Sequence, residues 1–243
     1  MTKFIKRIAS YLWSYGNSDS WNAVYSLLEK GDTFLELGCS VGTDTTALAK
    51  RIGANKVYGV DLDDEDLRKA SEKGIITYKA DLNKKFPLDD ESVDVVFAHW
   101  VIEHIIDMDN FVFEIYRVLK KGGYAIIGTE NLASWPNIFA LTLGKQPYTG
   151  PFVSVRYVVG PHPMQHCCRQ SIENTFQAAY TDHNVVLAYK SFRRIFELYG
   201  FKIEKVIGSG YYPFPKIMAR ALCRLDPAHS HFLTLKARKP DVE

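Results

Sequence analysis

Short apolar runs and helically spaced apolar residues alternate along the chain from position 33 onward. The run 93–98, apolar apart from Asp94, is typical of a strand that helices cover on both faces. Apolar residues three and four apart, as in 111–119, are typical of a helix with one buried side. The pattern predicts strands over 33–37, 56–61, 75–79, 93–98, 124–129, 201–207 and 231–237, and helices over 43–51, 64–73, 111–119 and 192–199. This alternation predicts an α/β fold.

Two short helices are predicted before the first strand. In the first, apolar residues recur at helical spacing, with basic residues on the other side: Phe4, Ile8, Tyr11, Leu12 and Tyr15 against Lys3, Lys6 and Arg7. Residues 16–20 predict a break, and a second helix over 21–28 ends at Gly31. The basic side could contact anionic lipid, although packing onto its own domain is the commoner use of such a helix.

Two stretches interrupt the alternation, over 131–188 and 208–227. The first holds five prolines and many aromatic residues, so it is too apolar for a disordered linker. Long ordered loops in compact domains are usually lids or binding segments. We therefore expect one domain over 1–243, made of N-terminal helices (1–31), a core (32–130), an insertion (131–188) and the remainder of the sheet (189–243).

Composition narrows the class of protein. The 243 residues are 47% hydrophobic, and 30 basic and 28 acidic residues leave a formal charge of +2, which gives no reason to expect nucleic acid as a partner. Four cysteines without a CxxC pair favour a reduced setting. No apolar run reaches the roughly 20 residues that span a bilayer. The expectation is a cytoplasmic protein.

The turn after the first predicted strand reads Glu36-Leu-Gly-Cys-Ser-Val-Gly42. Glycines at a strand-to-helix turn let the backbone approach a ligand closely, and the helix start offers unpaired N–H groups. The glycine spacing is one residue shorter than the dinucleotide motif, and the Lys-Ser/Thr of a P-loop is missing. Because a carboxylate repels pyrophosphate, Glu36 favours a ligand that carries an ammonium group.

Two further acids follow the next two predicted strands. Asp61 ends the second strand, where a carboxylate can accept hydrogen bonds from both ribose hydroxyls. Asp81 follows the third strand, where a carboxylate can accept from an exocyclic adenine amine. Either acid alone could cap a loop, but three acids at successive strand ends outline one cleft.

These motifs together resemble those of the class I S-adenosylmethionine-dependent methyltransferases, and within them the ubiquinone-biosynthesis, or type 11, group. The resemblance covers about 34–131, and Ser40 stands where glycine is commoner. It implies a Rossmann-like, doubly wound, mostly parallel seven-stranded sheet with an antiparallel last strand, and S-adenosylmethionine as cofactor. The cofactor-binding residues it implies are Glu36, Gly38, Cys39, Ser40, Gly42, Asp61, Leu62, Asp81, Leu82 and His99.

Histidines and cysteines are candidates for two further roles, a catalytic base and a metal site. His99 and His104 flank the segment that resembles the cofactor-closing one, where His99 would contact the cofactor through its backbone. His104 is the candidate catalytic base, with a structural hydrogen bond at the helix start as the alternative. A second group, His162, His166, Cys167, Cys168 and His183, contains metal-ligand types, but its spacing fits no familiar site and no metal is expected.

The resulting hypothesis is methyl transfer to a small-molecule, lipid or sugar-like acceptor enclosed by 131–188 and 208–227. Two alternatives come from other classes of protein: a non-catalytic S-adenosylmethionine-binding or regulatory protein, and an NAD-linked oxidoreductase. Three intact acids disfavour the first, and the short glycine spacing with Glu36 disfavours the second.

Overall fold

The computed structural model describes residues 3–151 and 183–241. Its strands are β1 (Thr33–Leu37), β2 (Lys56–Asp61), β3 (Ile76–Lys79), β4 (Val93–His99), β5 (Leu119–Glu130), β6 (Lys202–Ser209) and β7 (Phe232–Arg238). Its α-helices are α1 (Lys3–Leu27), α2 (Thr43–Ile52), α3 (Asp64–Ser71), α4 (Met108–Val118), α5 (Trp135–Thr142), α6 (Tyr189–Leu198) and α7 (Lys216–Leu225). Two 3₁₀ turns span Ile102–His104 and Pro227–His229.

The strands form a seven-stranded sheet in the order β3-β2-β1-β4-β5-β7-β6. The pairs from β3 to β5 are parallel, whereas β7 runs antiparallel to both β5 and β6. The predicted α/β fold with an antiparallel last strand is thereby confirmed. The strands that follow β1, namely β2 and β3, lie on one side of it, and β4 lies on its other side. Ligands of open α/β sheets bind at such a reversal of strand order, here at the carboxyl ends of β1 and β4.

Helices cover both faces of the sheet, which explains why β1 and β4 read as apolar runs. On one face, Val24 of α1 and Leu48 of α2 pack with Phe34 and Phe97. On the other, α4 and α6 pack against alternate residues of the same strands, such as Leu35 and Val96. Successive side chains of a strand point to opposite faces of the sheet, so alternate residues of each apolar run belong to different hydrophobic cores.

The prediction of two N-terminal helices was wrong, because α1 is continuous through residues 16–20. These residues face the domain. A Cβ on Gly16 would overlap the Tyr212 hydroxyl, Asp19 pairs with Arg220 at 2.6 Å, and Ser20 lies 3.2 Å from His99. Tertiary contacts thus stabilise a helix where local propensity favours a turn.

One other predicted boundary was wrong. Leu119, the last residue of the predicted helix 111–119, begins β5, and 120–123 belong to the same strand, whose ladder to β4 jumps from Leu119 to Tyr124 and accommodates them as an irregularity. The second predicted interruption, 208–227, contains α7. None of the described helices is both long and apolar enough to cross a membrane.

Candidate functional site

The glycine turn after β1 is anchored to the neighbouring strand. Both Gly38 and Cys39 donate their backbone N–H groups to the Val60 carbonyl, over 2.8 and 3.1 Å. Gly42 caps α2 in the left-handed region, with φ 73°, where a side chain would also collide with Ile75. The Cys39 thiol is buried beside Gly59, and burial raises its pKa to about 12, so it stays protonated at neutral pH. Glycines thus give this turn its shape.

Asp61 joins the end of β2 to the same turn. Its Oδ2 accepts the Ser40 N–H over 2.8 Å, and its Oδ1 accepts the N–H groups of Leu62 over 2.7 Å and of Asp63 over 3.2 Å. Leu62 follows with an exposed side chain. The structure therefore brings together Asp61 and the glycine turn, as the sequence predicts.

Asp81 occupies the corresponding place after β3. Its Oδ1 accepts two hydrogen bonds from Asn83, over 2.9 Å from the backbone and 3.0 Å from the amide side chain. Asn83 in turn accepts the N–H groups of Ile106 and Asp107, so this turn is joined to the segment before α4. Leu82 packs into the core.

Glu36 is the buried acid beneath the turn. Its side chain lies on the same face of β1 as Phe34, only 6% of it is exposed, and its Oε2 has no hydrogen-bond partner among the described residues. Burial raises its pKa to about 8, the neighbouring Thr45 hydroxyl acts to lower it, and the charges of Asp44 and Asp61 act in the same direction as burial. A buried acceptor without a donor is costly, so this position suits a ligand that brings a cationic donor.

His99 ends β4 and its ring lies against α1 and Trp100. The ring centroids are 4.7 Å from Trp21 and 4.2 Å from Trp100, and Ser20 lies 3.2 Å from Nε2. Burial lowers the pKa of His99 to about 4, so the ring is neutral at physiological pH. The ring thus packs with α1, and the predicted backbone contact of His99 with a cofactor stays a prediction.

A second group of polar side chains lies around the carboxyl ends of β4 and β5, and sequence reasoning missed most of it. Glu103 is buried and accepts the Thr129 hydroxyl over 3.1 Å, and the ring of His104 meets that of His183 edge to face at 5.1 Å. Burial raises the pKa of Glu103 to about 7, and burial with the charge of Glu103 raises that of Glu130. Burial lowers the pKa of His183 to about 4. An acid inside an apolar segment, as at Glu103, was the available signal.

Of the histidines and cysteines noted in the insertion, His183 is among the described residues. His183 lies beside His104, whereas His162, His166, Cys167 and Cys168 lie outside the described residues. The role of His104 as a base stays a prediction.

Residues 35–127 match the family model described as "Methyltransferase domain". The chain is similar to a malonyl-[acyl-carrier protein] O-methyltransferase of Marinomonas sp., with 31% identity over 46% of this chain and 43% of that one. It is also similar to a 2-phytyl-1,4-naphtoquinone methyltransferase of Nostoc punctiforme, with 30% identity over 58% of this chain and 64% of that one. The chain spans about half the length of the curated relatives that it matches.

Solved structures share the architecture. A S-adenosylmethionine-dependent methyltransferase from Mesorhizobium loti superposes with a TM-score of 0.60 at 21% identity, over 90% of this chain and 97% of that one. A Thermotoga maritima protein described as a possible histamine N-methyltransferase superposes with a TM-score of 0.59 at 17% identity, over 98% and 96%. At these identities the likeness is one of fold.

Proposed function

We propose that the chain is an S-adenosylmethionine-dependent methyltransferase that transfers a methyl group to a small-molecule, lipid or sugar-like acceptor, because residues 35–127 match a family model described as a methyltransferase domain. The observation that carries this proposal is the buried Glu36 Oε2 beneath the glycine turn, which has no hydrogen-bond partner among the described residues. A ligand with an ammonium group next to a nucleoside would supply that partner.

Each part of the cofactor would be bound by different residues at this edge of the sheet. Glu36 would accept the ammonium group of the methionine part, and the backbone of 38–42 would lie against it without side chains in the way. Asp61 would accept the ribose hydroxyls, and Asp81 would accept the adenine amine. These roles use acids from three adjacent parallel strands, whose carboxyl ends meet at one edge of the sheet.

Methyl transfer would need few catalytic side chains from the protein. When bound, the cofactor supplies a methyl group already activated on a sulfonium. The protein contributes by holding the acceptor atom in line with that methyl group and by keeping water away, which together supply much of the rate. A hydroxyl acceptor would also need a base, for which His104 is the candidate.

The acceptor would lie where the described start of the insertion, residues 131–151, meets 208–227. There Trp135 donates its indole N–H to the Tyr211 hydroxyl over 2.7 Å, which donates to Asp226 over 2.6 Å. Relatives named for malonyl-[acyl-carrier protein] and demethylmenaquinone support a small-molecule acceptor in preference to nucleic acid.

Calorimetry with two ligands tests the cofactor site. S-adenosylhomocysteine carries the ammonium group, whereas 5′-methylthioadenosine has the same nucleoside without it. Glu36→Gln should weaken S-adenosylhomocysteine about tenfold or more and leave 5′-methylthioadenosine nearly unchanged, because only the first ligand needs the carboxylate. Asp61→Ala should weaken both ligands.

The control is Asp64→Ala, which removes an exposed acid that pairs with Lys79 close to the same turn and should change neither affinity. The proposal is wrong if S-adenosylhomocysteine fails to bind or if Asp61→Ala has no effect. Release of S-adenosylhomocysteine during incubation with S-adenosylmethionine and acceptor extracts distinguishes an enzyme from a binding protein.

A further inference from the structure

Three side chains with metal-binding atoms converge beyond the end of β4. Glu103 and His104 lie on the 3₁₀ turn Ile102–His104, and His183 follows the insertion. One ligand atom from each residue lies within 4.8 Å of the other two. Zinc and similar ions bind nitrogen and oxygen at about 2.0–2.2 Å, so ligand atoms on one ion lie at most about 4.4 Å apart, and side-chain rotation would have to bring these three atoms closer together to share an ion.

Backbone hydrogen bonds hold the two segments together. The N–H groups of Asn184 and Val185 both donate to the Glu103 carbonyl, over 2.8 and 3.2 Å. The Asn184 side chain donates to the His104 carbonyl over 2.8 Å. The placement of His183 beside His104 is therefore built into the fold and does not depend on the orientation of one side chain.

Neighbouring groups orient the three side chains. The Nδ1 of His183 lies 2.6 Å from the Thr149 carbonyl, and because a carbonyl can only accept, Nδ1 carries the proton and Nε2 carries the lone pair. A hydrogen bond of this kind from the second ring nitrogen is typical of histidines that bind metals. Glu103 is oriented in the same way by the Thr129 hydroxyl.

Glu130 supplies an independent observation. This carboxyl group is more than nine-tenths buried, and its Oε2 has no hydrogen-bond partner within the described parts of the chain, although it lies 3.4 Å from the His183 Nδ1. Glu103, almost fully buried, lies in the same region. Two carboxyl groups withdrawn from water at one place are neutral when they are protonated, and a bound cation would compensate them in the ionised form.

We propose that Glu103, His104 and His183 bind one divalent first-row transition-metal ion, with Glu130 beside His183 as a supporting carboxylate, so that His104 serves as a metal ligand in place of the role of base considered above. Two imidazoles and a carboxylate suit zinc, cobalt, manganese or iron(II) better than magnesium or calcium, which prefer oxygen ligands alone. Three protein ligands leave at least one coordination position for water or for another oxygen ligand. Among the described residues, this is the group whose geometry allows such an ion.

Metal binding by the 243-residue chain tests the site without cofactor or acceptor, so its failure would leave the proposed methyl transfer untouched. The protein is dialysed against a chelator and titrated with Zn²⁺ by calorimetry and with Co²⁺ by visible absorption. One equivalent of each should bind, with cobalt d–d bands that saturate at that ratio. His104→Ala, His183→Ala and Glu103→Gln should each raise the dissociation constant by about tenfold or more.

The matched control is His229→Ala, which removes a partly exposed histidine that pairs with Asp226 and should leave metal affinity unchanged. Far-ultraviolet circular dichroism and S-adenosylhomocysteine binding establish that each variant is folded. The proposal is overturned if no ion binds, or if the three variants bind as the parent does. It is equally overturned if combined substitution of His162, His166, Cys167 and Cys168 abolishes binding while His104→Ala retains it.

Discussion

Ser40 adopts a backbone conformation that its sequence neighbours alone do not predict. Its φ is 44°, in the left-handed region that glycine enters freely and other residues enter at a cost of about 1–2 kcal/mol. The Ser40 hydroxyl donates to Asp66 over 2.7 Å, and its N–H donates to Asp61 over 2.8 Å. These bonds offset the cost of the conformation and explain how serine is accommodated where glycine is commoner.

Two substitutions at Ser40 should therefore distinguish the energetic cost of its backbone conformation from the contribution of its side-chain hydrogen bond. Ser40→Gly should change the free energy of unfolding by less than about 1 kcal/mol, because relief of strain offsets the lost side-chain bond. Ser40→Val should lower it by about 2 kcal/mol, since a β-branched residue tolerates positive φ poorly. Urea denaturation followed by fluorescence measures both, and equal losses in the two variants would contradict the explanation.

Asn137 on α5 is a fully buried hydrogen-bonding residue. Its amide group donates to the Asn131 carbonyl over 3.0 Å and to the Thr149 hydroxyl over 2.7 Å. Its Oδ1 accepts the Tyr148 N–H over 2.8 Å. One side chain thus joins the start of the insertion to the segment that carries Thr149, the carbonyl partner of His183.

Replacing Asn137 with leucine should lower the free energy of unfolding by about 2–4 kcal/mol, because several buried polar groups lose their partners together. Asn55→Leu, at an exposed asparagine that bonds to Asp32, should cost less than about 1 kcal/mol. Denaturant titration of both variants gives the comparison. Equal effects would show that burial of Asn137 contributes nothing.

Helix α1 shows how an element can be stabilised by its surroundings against its own propensity. Gly16 interrupts the helical pattern of the sequence, yet at this point the helix packs against Tyr212. Tyr15 and Tyr212 stack edge to face at 5.7 Å, and the two rings share a small core with Ala219 of α7. The close approach requires a residue without a side chain.

Gly16→Ala should be destabilising by about 1–3 kcal/mol although alanine favours helix by about 1 kcal/mol, because the new methyl group meets the Tyr212 hydroxyl. In a Tyr212→Phe background the loss should shrink by at least about 1 kcal/mol. Thermal unfolding of the four proteins of this double-mutant cycle measures the coupling. If the effects of Gly16→Ala and Tyr212→Phe on stability simply add, contact with the Tyr212 hydroxyl is not the cause of the destabilisation.

The stability of the whole molecule should depend on pH through Glu36. Its pKa is about 8 in the folded protein and near 4.5 in the unfolded chain, so between these values the folded state retains a proton that the unfolded state has lost. The free energy of unfolding contributed by this group therefore falls as pH rises from about 4.5 to 8.

Glu36→Gln removes this dependence. The variant should match the parent near pH 4.5 and exceed it by about 1–3 kcal/mol at pH 8.5, because glutamine stays neutral. Urea denaturation at both pH values measures the difference. The exposed Glu72→Gln, whose carboxylate pairs with Arg68, serves as the control and should change stability by less than about 1 kcal/mol at either pH. Parallel pH curves for parent and Glu36→Gln would refute the prediction.

Much of the sheet and the glycine turn followed from the sequence, because local patterns encode them. Apolar runs mark buried strands, helical spacing marks α4 and α6, and the turn from Glu36 to Gly42 with Asp61 and Asp81 defines one edge of a parallel sheet. Such features depend on residues near one another in the chain or on the regular order of strands.

Tertiary structure alone decided the contacts between distant segments. The continuity of α1 depends on Tyr212 and Arg220, about 200 residues away, and the pairing of His104 with His183 depends on the hydrogen bonds of Asn184. The burial of Glu36 and Glu130 likewise results from layers assembled from several elements. Periodicity shows which residues turn inward, but the partner that each one meets there depends on how remote parts of the chain pack together.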